Sequence, residues 1–375
     1  MTGVISRMSN KEIEEQLIEI INSPKNVVNP PFWVNPINAT EERGKFISAV
    51  ERGVTYNPRF EYSALTYKPS DYVAKIEDIK IDDSTAWGAI LERTRQYLID
   101  KLLMIAARGS HAFSTLSQKT YGSPDEKLIK RAKELLAPPP AKPEKERFLW
   151  PEEVVTQLNQ VLREMKLDWV ARLREQVALA EVSTSDRTLW VDASPTTPFT
   201  KEVVNILNVH EIKSHIQRHE NGRQSGHPLF ALGTGYYLRT EEGLAFYNEH
   251  YSDMEQTRAN KYAMRVLAVN AALEHSFMET FQELKKINDE KKVGLKSQEL
   301  VGLAERSKRG LEDTSQPGAF TKDIVYLAGF DEIHDYVENE GQIEDLLVGK
   351  ISVQDARALK AAGELGSVPP ADTGA

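Results

Sequence analysis

Cysteine is absent from the chain, so disulfides, thiolate metal sites, iron–sulfur clusters and cysteine nucleophiles are excluded. Long apolar runs are absent too. No stretch approaches the roughly 18 apolar residues of a membrane span, and the N-terminal MTGVISRMSNKEIEEQ lacks the apolar core of a signal peptide. Both point to a cytoplasmic protein with no membrane partner. Positive charge is scarce: 47 Lys and Arg face 56 Asp and Glu, a net charge of −9, and no basic block is dense enough for a phosphate backbone. A nucleic-acid partner is therefore not expected. What remains is ordinary for a globular protein, with 40% hydrophobic and 27% charged residues over 375 positions.

Helical patterning dominates. NKEIEEQLIEIIN reads as an N-terminal amphipathic helix capped by Ser9 or Asn10, within a segment 1–28. Residues 29–38 hold three prolines and are expected not to be helix. Helices are expected over 40–52, 84–109, 125–136, 151–180, 200–221, 241–286, 322–339 and 352–365. YNPRFEYSALTY reads as a turn and strand, and residues 188–194 read as a strand. Residues 137–146, with prolines at 138, 139, 140 and 143, read as a stiff exposed loop inside one domain spanning 29–365. The tail 366–375 reads as disordered. The fold class is α+β, predominantly α-helical, with a small β-sheet and an N-terminal helical portion.

Histidines concentrate where chemistry is expected. Five of the eight fall within 41 residues, at 210, 215, 219, 227 and 250. His210-Glu211-Ile212-Lys213-Ser214-His215 is an H-E-x-x-x-H string, whose residue types suit a zinc hydrolase. Neutral imidazoles bind zinc, and an adjacent carboxylate can take a proton from metal-bound water. The spacing is one residue longer than H-E-x-x-H. In an α-helix a step of five turns a side chain by about 140°, so a shared metal requires a π-bulge near Ile212–Ser214 or a helix end there. His215 and His219, four apart, form a rival pair on an undistorted helix. A third ligand is sought about 30 residues downstream, where Thr240-Glu241-Glu242-Gly243 opens a helix; acidic residues there also suit the helix dipole with no metal at all.

These segments carry a resemblance. HEIKSH (210–215), NGRQ (221–224), ALGTGYY (231–237), TEEGLAFYNE (240–249) and GAFTKDIVYLAG (318–329), with FWVNPINATEERGKF (32–46), YNPRFEY (56–62) and YGSPD (121–125) upstream, resemble the tyrosine/phenylalanine carboxypeptidase family. That family includes bacterial proteins with a QEGLA motif and the animal microtubule-associated tyrosine carboxypeptidases. The family motif normally reads H-E-I-G-T-H, so Lys213 and Ser214 depart from it at positions that are not ligands. The usual Gln of QEGLA is Glu241 here.

The resemblance implies a zincin-like metallopeptidase fold and one Zn2+ per chain. It implies His210, His215 and Glu242 as ligands and Glu211 as the general base, with His219 only a neighbour. The implied substrate is a peptide or protein C-terminus, its last residue Tyr or Phe. Tyr236, Tyr237 and Tyr247 are candidate oxyanion donors. The terminal carboxylate needs a cation, sought among Arg218, Arg223, Arg306, Arg309 and Lys322, with Arg223 and Lys322 favoured for lying in motif-like segments. Phe230, Leu232 and Phe320 are candidates to line an apolar pocket. Microtubule binding is not carried over, because the acidic balance offers no surface for acidic tails. Two alternatives stand beside this reading: a metal-stabilised binding or regulatory protein without turnover, and a zinc amidohydrolase of small substrates.

Overall fold

A computed structural model describes residues 8–140, 148–175, 179–194, 199–252 and 256–366. The expected tail beyond residue 366 and the 141–146 part of the proline-rich loop lie outside the described residues. Helices dominate and one three-stranded sheet is present, the predominantly helical α+β class that the patterning implies. Packing divides the chain into two compact units. The first takes residues 1–139 and 255–328, and the second takes 140–254 and 329–375. No helix among the described residues is long and apolar enough to cross a membrane.

The described residues of the first unit form helices and loops. Its N-terminal helix, Asn10–Ile21, starts at a reciprocal capping box between Ser9 and Glu12 and buries Ile13, Leu17 and Ile20. Helix Gln256–Glu274, rich in alanine, is the central element and packs on Glu126–Leu135, Phe277–Lys291 and Ser297–Lys308. Small side chains let these neighbours approach closely. Phe46, Phe60, Phe277 and Phe281 interlock edge to face beside it. Lys308 is fully buried and donates to the carbonyls of Ala272, Gln316 and His275, so its charge ties three chain segments together.

The second unit carries the sheet. β1 (Val170–Arg174) pairs parallel to β3 (Thr188–Asp192), and β2 (Ala180–Ser183) pairs antiparallel to β3 on its other side. Helix Pro151–Glu164 covers it: Val154, Leu158 and Leu162, four apart, meet Ala171, Leu189 and Val191 in one apolar cluster. The same cluster includes Ile212 and Ile216 of the H-E-x-x-x-H segment. The motif is thus anchored by its apolar residues to the sheet layer.

Several expectations are corrected. The helix expected over 151–180 stops at Glu164, and Lys166 turns the chain at φ +54°. VARLR is rich in helix formers, but pairing with β3 overrides that propensity. Residues 30–34 form a short helix despite their prolines, because Pro30 sits in the first turn, where no N–H is needed. YNPRFEYSALTY makes a single bridge, Arg59 to Asp313, and no strand. The 241–286 stretch is three helices, Leu238–His250, Gln256–Glu274 and Phe277–Lys291, the last begun by a Ser276–Glu279 capping box. Helices Pro69–Glu77 and Ala112–Tyr121 were not anticipated.

Gly243 and Gly329 mark the tightest crossing in the second unit. A Cβ on Gly243 would lie 2.3 Å from the Gly329 carbonyl carbon, and one on Gly329 would lie 2.0 Å from the Arg239 carbonyl oxygen. Gly243→Ala is expected to lower stability by about 1–3 kcal/mol through overpacking, read as a fall in the urea midpoint. Gly44→Ala, in helix Ala39–Glu51 with nothing within 4 Å of the added methyl, should leave the midpoint unchanged or raise it slightly.

Candidate metal centre

The extra residue in H-E-x-x-x-H is absorbed by the backbone. Asn208–Ile216 is a π-helix between the α-helices Lys201–Leu207 and Gln217–Gln224. Its hydrogen bonds span five residues, as from Gln217 N–H to the Ile212 carbonyl, so residues five apart share a face. The Ser214 hydroxyl bonds the Val209 carbonyl at 2.8 Å and accepts from Asn248 at 2.9 Å, fixing the wide turn from inside. A buried Ser214 therefore has a place in this geometry, while Lys213 points to solvent.

His210 and His215 consequently meet, with ring centroids 4.9 Å apart and planes nearly perpendicular. One nitrogen from each ring and a Glu211 carboxylate oxygen lie within 4.8 Å of one another, the group of potential metal donors found among the described residues. Glu242 approaches from helix Leu238–His250, its Oε2 3.9 Å from His215 Nε2. All four side chains are only partly buried, so the group can be reached.

Each ring is oriented from behind by a carboxylate. His210 Nδ1–H donates to Glu249 at 2.6 Å, and His215 Nδ1–H donates to Glu241 at 2.9 Å. Both bonds place the proton on Nδ1 and leave Nε2 as a lone-pair donor. Burial disfavours a charge on His215, yet the Glu241 carboxylate, followed by Glu211 and Glu242, raises its pKa above the ordinary imidazole value. Such a ring carries strong basicity toward any cation at Nε2.

Glu241 is itself held as an anion. Burial opposes its ionisation, but Lys350, Arg218 and His215 draw its pKa far below the usual carboxylate range. Arg218 is wholly enclosed. Its Nη1 donates to Glu241 at 2.5 Å, Nε to the carbonyls of Leu346 and Gly349 at 2.9 Å each, and Nη2 to the Ile351 carbonyl at 2.6 Å. Lys350 Nζ adds a contact to Glu241 at 3.1 Å. The segment 346–351 thus braces His215 through two intermediaries.

The sequence pattern of the microtubule-associated tyrosine carboxypeptidases matches residues 46–372. The chain belongs to this family. It is 27% identical over 339 residues to mouse microtubule-associated tyrosine carboxypeptidase 1, covering 88% of this chain and 62% of the mouse protein. The rat and human proteins of that name are each 29% identical over 221 residues, covering 57% of this chain and 42% and 41% of theirs. The chain therefore spans less than two thirds of the relatives it matches.

Other candidates from the family motifs fall in varied places. His219 is buried edge-on against Trp169 and donates Nδ1–H to the Ala231 carbonyl at 2.9 Å, which removes the rival His215/His219 pair. Arg223 pairs with Glu220 at 3.0 Å, and Glu220 also accepts from Trp169. Arg218 is spent on Glu241 and backbone carbonyls, and Arg306 forms a two-bond pair with Asp323 in the first unit. Lys322, also in the first unit, lies 5.8 Å from the Tyr326 ring centroid. Phe230 and Phe320 are enclosed core residues and do not line an open pocket. Of the three tyrosines, Tyr237 lies near the site: burial, then the charges of Glu241 and Glu242, raise its pKa. Its ring fills the space above Gly233, where a Cβ would come within 2.3 Å at φ +112°.

Glu249 and Lys350 are missing from the sequence reading, which considers Arg218 only as a partner of the terminal carboxylate. Glu249 carries a usable signal, since it follows Glu242 by seven residues and so shares its helical face. The other two lie on separate elements, and only their packing reveals them. Arg218→Ala would leave Glu241 charged, buried and short of its nearest partner. Stability should fall by about 3–5 kcal/mol, measured by denaturant unfolding, and Arg218→Lys should recover little, because an ammonium cannot reproduce the guanidinium's spread of bonds.

Proposed function

We propose that this chain is a zinc-dependent metallocarboxypeptidase that removes a C-terminal Tyr or Phe from a peptide or protein. The carrying observation is the pair of imidazoles on one π-helix, each pinned at Nδ1 by a buried carboxylate, with Glu211 beside them. Family membership supports the reaction class. The donor set fits the metal: two neutral imidazole nitrogens and a carboxylate are a common zinc triad that leaves a position open. His210, His215 and Glu242 would hold it. When bound, zinc supplies Lewis acidity, lowering the pKa of water and polarising a carbonyl.

The chain's own residues do the rest. The Glu211 carboxylate takes the proton of the attacking water and delivers it to the leaving amine, so one group serves as base and then acid. Its place directly after His210 keeps it at the donor cluster. Tyr237, held protonated beside Glu241 and Glu242, is the favoured hydroxyl donor to the oxyanion of the tetrahedral intermediate. Glu241 and Glu249 keep both rings in the tautomer that leaves Nε2 unprotonated.

Purified protein should hold about one zinc per chain. Glu211→Gln should retain the metal and lose turnover of peptides ending in Tyr or Phe, and amidation of the peptide terminus should abolish cleavage by the parent. Full activity in Glu211→Gln would sink the assignment of the base. Zinc-loaded protein that turns over no such peptide, while metal removal lowers its melting temperature, would favour the binding-protein alternative. Glu249→Gln and Glu241→Gln are each expected to weaken zinc binding about 10–100-fold, measured by competition with a chromogenic chelator.

A further inference from the structure

NGRQ (221–224) and the start of ALGTGYY (231–237) stand outside the donor cluster, and both grip the segment 346–351. Asn221 Nδ2 donates to the Leu347 carbonyl at 2.7 Å. Gly222 and Gly349 let the chain close on Phe230. A Cβ on Gly222 would lie 2.4 Å from the Phe230 carbonyl carbon, and one on Gly349 would lie 2.6 Å from Phe230 Cβ and 3.2 Å from Gly222 Cα. The Lys350 N–H donates to the Phe230 carbonyl at 2.6 Å, and the Lys350 carbonyl accepts from the Thr234 N–H at 3.0 Å. The Thr234 hydroxyl donates in turn to buried Asp355 at 2.6 Å. Lys350 is thus fixed on both sides of its Cα.

What this grip delivers is an ammonium. Lys350 Nζ, on a side chain only 12% exposed, lies 3.1 Å from Glu241 Oε1. That is the oxygen to which His215 Nδ1–H donates at 2.9 Å. Two cations therefore serve one carboxylate, and one of them shares the oxygen that His215 uses. Orienting Glu241 does not need both: Arg218 holds Oε2 at 2.5 Å, and helix Leu238–His250 carries the side chain. The added effect of Lys350 is electrostatic. A carboxylate behind a ligand imidazole raises the ring's basicity toward metal. An ammonium on the same oxygen draws that charge back and repels a dication beyond the ring. In so enclosed a place, salt screens little of either effect.

We propose that Lys350 is a positioning residue that tempers the pull of Glu241 on His215, and so holds the metal affinity of the site below what its own donors would reach. This rests on the zinc reading of the site. A segment more than a hundred residues beyond the ligands thereby sets their strength, and NGRQ and the Phe230–Thr234 turn acquire a role as the grip that delivers the charge.

Zinc competition between the full chain and a chromogenic chelator, at fixed pH, tests the proposal. Lys350→Met should tighten zinc binding about three- to tenfold, a smaller step than losing an outer partner of a ligand. Lys350→Arg, which keeps the charge, should stay within about twofold of the parent. Lys213→Met, on an exposed residue of the π-helix, should also stay within about twofold, which separates the charge at Glu241 from the charge of the whole chain. The gain in Lys350→Met should persist in high salt, because the pair is enclosed. Lys350→Gln serves as the second variant should Lys350→Met fail to fold, and should show the same gain. The urea midpoint of the zinc-free protein should fall in either variant, since Glu241 loses a buried partner. A lower midpoint with zinc affinity unchanged or weakened is the mark of a merely structural lysine and would overturn the proposal while leaving the metal reading intact. A parent chain that holds no zinc removes the metal reading and this inference together. Tighter zinc in Lys350→Met, in a chain that cleaves no peptide, keeps the tuning and removes the peptidase reading.

Discussion

The buried ionic knot at Glu241 is the constraint on which the rest of the site depends. A carboxylate with almost no solvent contact is stable only if cations and donors replace its lost hydration. Arg218, Lys350 and His215 do so together. Because Arg218 also binds three backbone carbonyls between Leu346 and Ile351, the knot connects helices distant in sequence to a loop more than a hundred residues further on. It fixes the ring of His215, and the Glu249 bond fixes His210 in the same manner. The Nε2 atoms of both rings are thereby set in position by carboxylates that bond the opposite nitrogens.

The π-helix is the second constraint, and it acts through packing. Ile212 and Ile216 sit in the cluster built on Val154, Leu158, Leu189 and Val191. In a regular helix, His210 and His215 would diverge while these apolar residues stayed buried. The wide turn lets both demands be met at once, and the Ser214 hydroxyl, bonded back to Val209, takes up hydrogen-bonding capacity inside it. The substitution of Ser for the family's usual Thr preserves that hydroxyl, and Lys213 replaces a glycine where the side chain points outward.

Much of this was legible in the residue order. For His210 and His215 to share a metal, their spacing called for a π-bulge or a helix end near Ile212–Ser214, and a π-helix covers that stretch. Helix positions read from apolar periodicity mostly hold, as for Asn10–Ile21, Ala39–Glu51 and Ala86–Ala106. Failures have local causes. VARLR carries good helix formers, and strand pairing outweighs that preference. The short helix at Pro30 exploits the one position where proline is harmless. The candidate cations misled because a charge near a motif says nothing about its partner: Arg223 is already paired with Glu220 and Arg306 with Asp323.

By itself the sequence determined the donor types, the need for a π-turn or a helix end if the two histidines are to meet, and the predominantly helical class, because each follows from spacing and composition along a single element. Only the tertiary structure decided which carboxylate stands behind each imidazole, which arginines are spent, and where helices cross at paired glycines. Those are facts about groups brought together from distant parts of the chain, and pairing energies of buried charges depend on distance and desolvation, neither of which residue order contains.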